Sequence, residues 1–174
     1  MPLLMKTAEP ARAAKIRDVT EDDAAAICAI YNPYVLDTAI SFEQQPVSME
    51  EMRGRIKSVT ASYPWLVAES EQGVIAYAYA TRWRTRAAYD HTAESTVYVN
   101  RSLQRSGAAY PLYMELLERL RRQSVHAVVG CITVPNPASI AFHEKCGFRK
   151  VAHFPQVGRK FGQWVDVGFW QVTL

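Results

Sequence analysis

Residues 94–120 restrict the fold of this chain more tightly than any other stretch. "ESTVYVN" (94–100) is rich in β-branched residues and reads as a strand. "QRSGAA" (104–109) follows, with a single glycine, Gly107. Leu112, Tyr113, Leu116, Leu117 and Leu120 then recur as one apolar stripe at helical spacing. Glycine between a strand and a helix lets main-chain N–H groups approach a ligand closely. The helix N-terminus behind it favours negative charge. Such a loop is either an ordinary strand-to-helix turn or a cradle for a phosphorylated ligand. It is not a Walker loop, because the Gly-Lys-Ser/Thr ending is absent. Nor is it a dinucleotide fingerprint, since it lies mid-chain and lacks the glycine pattern.

The remaining segments arrange themselves around this unit. Residues 1–14 read as a loose, alanine-rich extension, and "KIRDVT" as a first strand. Thr20 and Asp23 form a capping-box pattern that opens a helix carrying Ile27, Ile30, Tyr31 and Tyr34. "SMEE" (48–51) starts a second helix, through about Val59. "YPWLVAES" and "GVIAYAYATRW" are strands joined by a Glu-Gln-Gly turn, which predicts a hairpin. Residues 84–93 form a polar loop. After the central helix, "HAVVGCITV" is a buried strand, and Asn136-Pro137 caps a helix that stops at Gly147. "FRKVAHF" and "WVDVGFWQVTL" close the chain as strands. The order is β-α-α-β-β-β-α-β-α-β-β, a single mixed α/β domain over 15–174.

Composition excludes several classes. With 174 residues, 49% of them apolar and 21% charged, the chain is globular and long enough for one sizeable core. The net charge of +3 weakly favours an anionic ligand and is too small to argue for nucleic acid. No apolar run approaches the ~18 residues of a membrane span, and "MPLLMK" is too short for a signal-peptide core. Cys28, Cys131 and Cys146 are scattered without a CxxC pair, which predicts reduced, mostly buried thiols in a cytoplasmic protein. His91, His126 and His153 have no partners at metal-ligand spacing, so no metal is expected. The cluster Arg119, Arg121 and Arg122 reads as a solvated helix face.

"QRSGAA" resembles the Q/R-x-x-G-x-G/A loop of the GCN5-related N-acetyltransferases (GNATs), with Gln104, Gly107 and Ala109 at the three defined positions. Alanine in the last place is an accepted variant. Longer pieces, "YNPYV", "SFEQQP", "YPWLVAE", "AAYDHTAESTVYV", "VPNPASIAFHEKCGF" and "GRKFGQWVDVGFWQ", are similar to the phosphinothricin N-acetyltransferase family and run across 15–174. The resemblance implies the GNAT fold, a mixed, mostly antiparallel sheet flanked by helices. It also implies acetyl-CoA as co-substrate, a small amino acid as acceptor, and a homodimer.

Acetyl transfer from a thioester needs a neutral amine. An α-amino group has a pKa of about 8, so most of it is protonated at pH 7. A base is typically worth about 10²–10⁴ in rate. Glu94 matches the family's proposed base; position alone also allows a solvated carboxylate at a strand end. The resemblance gives the oxyanion a main-chain N–H from Val97, Tyr98 or Val99, the strand that would pair with the pantetheine arm. Phosphate contacts fall to Arg105, Ser106, Gly107, Ala108, Ala109 and Tyr110, and Asn136 is expected to touch the cofactor as well as cap its helix. His143 stands where many GNATs carry a tyrosine acid, and the phosphinothricin-type enzymes carry histidine there too. Tyr113 also corresponds to a proposed active-site residue, although its place on the apolar stripe suits the core equally. Arg86 and Tyr89 match acceptor-binding positions, with Phe42 as an apolar wall and Arg84 where a lysine is sometimes found.

Two rivals remain. A peptide or protein N-terminal acetyltransferase of the same fold would need an open groove, against which the arginine-bearing loop at 84–90 argues. A coenzyme-A-binding regulatory module without turnover is disfavoured by Glu94 and His143. No cysteine lies at a matched catalytic position, so direct attack by the amine is expected.

Overall fold

The structure is a computed structural model that describes residues 14–104 and 106–174. Strands β1 (Lys15–Asp18), β2 (Trp65–Ser70), β3 (Gly73–Arg82), β4 (Thr92–Val99), β5 (Ala127–Val134), β6 (Arg149–Lys160) and β7 (Gln163–Thr173) form one sheet in the order β1-β2-β3-β4-β5-β7-β6. Only the β4–β5 pair is parallel. Helices α1 (Ala24–Asp37), α2 (Met49–Thr60), α3 (Ala109–Arg122) and α4 (Pro137–Lys145) complete the order expected from the sequence.

Alternation along β2 explains why the core is double. Trp65 and Val67 point to the α1/α2 side, where they meet Ile27, Tyr31 and Ile56. Leu66 and Ala68 point to the α3 side, where they meet Leu112, Leu116 and Leu120. The apolar stripe of α3 is thus a core face, and Leu116→Ala would cost about 2–5 kcal/mol. The charged side of that helix is laced by Arg119–Glu115, Arg121–Glu118 and Arg122–Glu118 pairs.

The helix starts follow local chemistry. The Thr20 N–H donates to Asp23 Oδ2 (2.8 Å), and a single 3-10 turn at Glu21–Asp23 leads into α1. Arg17 grips the same carboxylate with two donors at 2.8 Å, tying the start of α1 to β1. That bond holds the Asp23 carboxyl below its ordinary range. Ser48 Oγ accepts from the Glu51 N–H (3.1 Å) at the start of α2. Gly147, at φ +90°, ends the α4 segment as expected.

Several boundaries differ from the sequence reading, chiefly in β4 and β6. β4 begins at Thr92, shortening the polar loop, which holds a 3-10 turn at Ala87–Tyr89. Asn100 leaves the strand and accepts from the Ser102 N–H (3.1 Å) to start a turn. β6 runs on from Phe154 to Lys160, through Pro155. β6 is an edge strand, and its register shifts between Phe154 and Gly158, so a residue lacking an N–H is tolerated there. Of the extension expected at 1–14, only Ala14 lies among the described residues.

Candidate active site

The single parallel pair opens a wedge. β4 pairs with β5 only from Thr92↔Ala127 to Ser95↔Gly130. Past that point β4 follows β3 to Ala76↔Val99, whereas β5 follows β7 to Val134↔Asp166. The Asn100 N–H donates to Ile75 O (2.8 Å) on the β3 side. Alternation therefore turns the main-chain groups of Val97 and Val99 toward β5, into the gap. The Val99 carbonyl accepts from Tyr34 Oη (2.6 Å), which leaves the Val97 and Val99 N–H groups facing the opening. Tyr98 points the other way and packs edge-on against Tyr31 (5.0 Å).

The loop next to the wedge leaves a helix start without a side-chain cap. Gly107 sits at φ +79°, a conformation that disfavours any side chain, and open space surrounds the position its Cβ would take. Helix α3 begins behind it with Ala108 at the cap position and no side-chain cap. By contrast, α2 is capped by Ser48 and α4 by Asn136, whose Oδ1 accepts from the Ser139 N–H at 3.2 Å. Pro111 carries no N–H and the Leu112 N–H reaches Ala108 O (3.4 Å). The first helical donors of α3, Ala109 and Tyr110, thus have no side-chain cap. Gln104 ties the loop to the wedge by donating to Tyr34 Oη (3.1 Å). Arg105 lies outside the described residues.

Glu94 stands at the inner end of the wedge, paired with Thr81 on β3 and Val129 on β5. It is half-buried, and burial pushes its carboxyl above the ordinary range while Arg84 pulls it back. Thr96 and Tyr98 share its face by alternation, as does Cys131, two residues beyond Val129. Cys131 is partly open to solvent. Its thiol is pushed up to about 11, first by low-polarity surroundings and then by the Glu94 charge, so it is a weak nucleophile at neutral pH. Cys28 and Cys146 are buried.

The expected acceptor residues lie on two loops. Arg84 rests on Trp83 (4.8 Å to the ring), and Arg86 and Tyr89 are exposed on a loop closed by an Arg82–Asp90 ion pair. Phe42, 40% exposed, lies between α1 and α2 with its ring against Gly158 of β6. A cavity of about 550 Å³ opens beside Glu94's neighbour Thr81, lined by Arg55, Ser58, Trp65 and Tyr79 among others. A second cavity of about 480 Å³, near Asp18, Arg119 and Arg122, includes none of the expected site residues.

His143 and Tyr113, the candidates for an acid, are both buried. His143 is 5% exposed, and its Nδ1 lies 2.8 Å from Ser139 O. A carbonyl only accepts, so Nδ1 carries the proton and the neutral ring has none on Nε2. Burial also lowers the imidazole's pKa, which favours that neutral form. The ring packs on Gly130, where a Cβ would stand 2.9 Å from Cδ2. Tyr113 is 0% exposed; its hydroxyl bonds Ser95 Oγ (2.7 Å), which donates on to Val129 O (3.3 Å). Both groups are hydrogen-bonded inside the protein, beside the strand pair that flanks the wedge.

Other residues escaped the sequence reading. Tyr31 Oη donates to Glu43 (2.9 Å), and Arg55 grips the same carboxylate at 2.6 and 3.0 Å. Lys160 is buried against the α1–α2 connection. The Lys160 contacts join positions far apart in the chain, and no helical or strand spacing announces any of these pairs. Among the described residues, no group of three or more His, Cys, Asp or Glu side chains converges to hold a metal. Nor, among the described residues, is any helix long and apolar enough to cross a membrane.

Known proteins match this arrangement along nearly the whole chain. The family model of the acetyltransferase (GNAT) domain matches residues 16–168. The phosphinothricin N-acetyltransferase of Streptomyces viridochromogenes is 41% identical over 160 residues, covering 92% of this chain and 87% of the relative. The L-methionine sulfoximine/L-methionine sulfone acetyltransferase of Pseudomonas aeruginosa is 36% identical, covering 92% of this chain and 95% of that one. The crystal structure of a phosphinothricin acetyltransferase from Sinorhizobium meliloti, in complex with acetyl-CoA, superposes with a TM-score of 0.89 at 33% identity, covering 94% and 89% of the two chains.

Proposed function

The chain belongs to the GNAT family and is an acetyl-CoA-dependent N-acetyltransferase; we propose that its acceptor is an L-α-amino acid with a compact, oxygen-bearing tetrahedral head, such as phosphinothricin, methionine sulfoximine or methionine sulfone. The observation that carries this reading is the half-buried Glu94 at the wedge, with Arg84 close enough to act on its charge and Arg86 and Tyr89 on the same loop. A guanidinium fork suits carboxylate, phosphinate or sulfonyl oxygens. The relatives named above act on the same acceptor class.

Acetyl-CoA supplies the activated acetyl group. The Val97 and Val99 amides would line its pantetheine arm, and the α3 amides with Gly107 and Asn136 would take its pyrophosphate end. Glu94 takes the proton from the acceptor's ammonium, directly or through water. A carboxylate whose pKa is raised by burial binds that proton more firmly than an ordinary one. A thiolate is a far better leaving group than an amine, so it departs from the tetrahedral intermediate without an acid from the protein. His143 and Tyr113 therefore hold β4 and β5 in place, and do not pass protons to the leaving group.

Val151, Phe154, Val157, Phe161 and Trp164 are exposed on the β6–β7 hairpin. We assign this patch to a homodimer contact. Replacing Phe154 and Trp164 by serine should then leave a monomer in light scattering.

Release of free thiol from acetyl-CoA across a panel of amines tests the acceptor. Methionine sulfone and phosphinothricin should exceed both peptides and arylalkylamines in kcat/KM. Equal turnover of amines lacking any acid group would overturn the anion-pocket reading, and no turnover at all would restore the regulatory module.

A further inference from the structure

We propose that Gly158 and Lys160, at the end of β6, position the Phe42 ring and so set the acceptor pocket's depth; this rests on the reading of Phe42 as the acceptor wall. Both neighbours of Phe42 are held, from opposite sides. Lys160, 4% exposed, donates from Nζ to Val35 O (2.7 Å) and to Ser41 O. Val35 O is one of the last carbonyls of α1, where a cation offsets the helix's negative end. Ser41 immediately precedes Phe42. On the other side, Glu43 is gripped by Arg55 of α2 and by the Tyr31 hydroxyl. The Ser41 hydroxyl closes the circuit, lying 2.7 Å from Tyr31 Oη. Phe42 is therefore the free middle residue of a connection clamped at both flanks.

The ring's own resting place is Gly158. A Cβ added there would overlap Phe42 Cζ and Cε2. Gly158 is not among the glycines with positive φ. What this place asks of residue 158 is therefore the absence of a side chain, not backbone freedom. The lysine is equally specific. An ammonium removed from water costs free energy unless it is paired, and here it meets two carbonyls and the nearby Glu43 charge. Gly158 and Lys160 lie two residues apart on one strand, so β6 sets both the height of the ring and the loop that carries it.

Steady-state kinetics of the full chain with L-methionine sulfone and acetyl-CoA tests this, with the melting temperature followed for every variant. Gly158→Ala should raise the acceptor KM roughly tenfold, the scale of one misplaced methylene in an apolar pocket, and leave KM for acetyl-CoA unchanged. Lys160→Met should move the acceptor KM the same way, and Lys160→Gln, which keeps a donor, should recover part of it. In a Phe42→Ala background, Gly158→Ala should add nothing, because the glycine acts only through that ring. If Phe42→Ala raises the acceptor KM but neither Gly158→Ala nor Lys160→Met does, the clamp is wrong and the wall stands. If Phe42→Ala leaves that KM unchanged, the wall reading fails and takes the clamp with it. A uniform loss of kcat and melting temperature, with both KM values intact, would make these residues merely structural.

Discussion

The proposed cofactor side and the proposed acceptor side of this site are built from different materials. On the cofactor side the groups on offer are main-chain amides: Val97 and Val99 in the wedge, and the uncapped start of α3 behind Gly107. Their positions follow from strand register and one backbone conformation. On the proposed acceptor side the groups are side chains on loops: Phe42, whose ring rests on Gly158 of a distant strand, and Arg84, Arg86 and Tyr89 on a loop closed by the Arg82–Asp90 pair. Backbone recognition is insensitive to side-chain identity as long as the chain's path is kept. Side-chain recognition can be retuned by single substitutions. One half of the site is thus suited to an invariant cofactor and the other to a changeable acceptor.

Glu94 lies where the halves meet, and its replacement should have the largest effect. Glu94→Gln should lower kcat/KM by roughly 10²-fold or more with acetyl-CoA affinity nearly intact. In the wild type, kcat/KM should rise with pH as Glu94 and then the amine lose their protons. The deficit of the variant should shrink at high pH, where the amine is neutral unaided. A pH-independent loss would make Glu94 a positioning group and blur the division between the halves.

The next test separates backbone from side chain on the cofactor side. Acetyl-CoA binding to the folded state should raise the melting temperature, by an amount equivalent to ~2.7 kcal/mol at a hundredfold excess over Kd. Gly107→Val should abolish that shift, since a β-branched residue resists φ +79° and crowds the amides. Ser106→Ala and Tyr110→Ala should leave most of it. Equal losses from all three would mean that side chains hold the phosphates and would break the comparison. On the acceptor side the expectation reverses. Arg86→Ala should raise the acceptor KM roughly tenfold, the weight of one charge-assisted contact, and barely alter KM for acetyl-CoA.

Much of the fold was legible because its signals are local. Apolar periodicity fixed α3 at Leu112–Leu120, and Asn136-Pro137 and Gly147 marked the bounds of α4. β6 beyond Phe154 was not legible, because Pro155 and Gly158 read as loop unless the strand is known to be an edge. The site divides in the same way. Gln104, Gly107 and Glu94 stand in a short pattern around one strand and one loop, so a resemblance could carry them. Lys160 to Ser41 bridges segments that meet only after the sheet is assembled, and Arg55 reaches back to Glu43 in the turn between α1 and α2. His143 shows a third case. Its position in "HEKCGF" suggests an acid, whereas the bond of its Nδ1 to the Ser139 carbonyl is a feature that spacing does not announce and on which the proposed structural role rests.

The wedge has a mechanical meaning. Four residue pairs, Thr92↔Ala127 through Ser95↔Gly130, are the whole seam between a four-stranded half-sheet and a three-stranded one. Below that seam the two halves diverge like the legs of a compass. A pantetheine arm bonded to Val97 and Val99 would extend the ladder, so the cofactor would serve as a length of missing strand. Catalysis would then consume part of the enzyme's own architecture at every turnover and restore it with the next molecule bound. Hydrogen exchange at the Val97 and Val99 amides should follow that cycle, fast in the free protein and slowed on the cofactor.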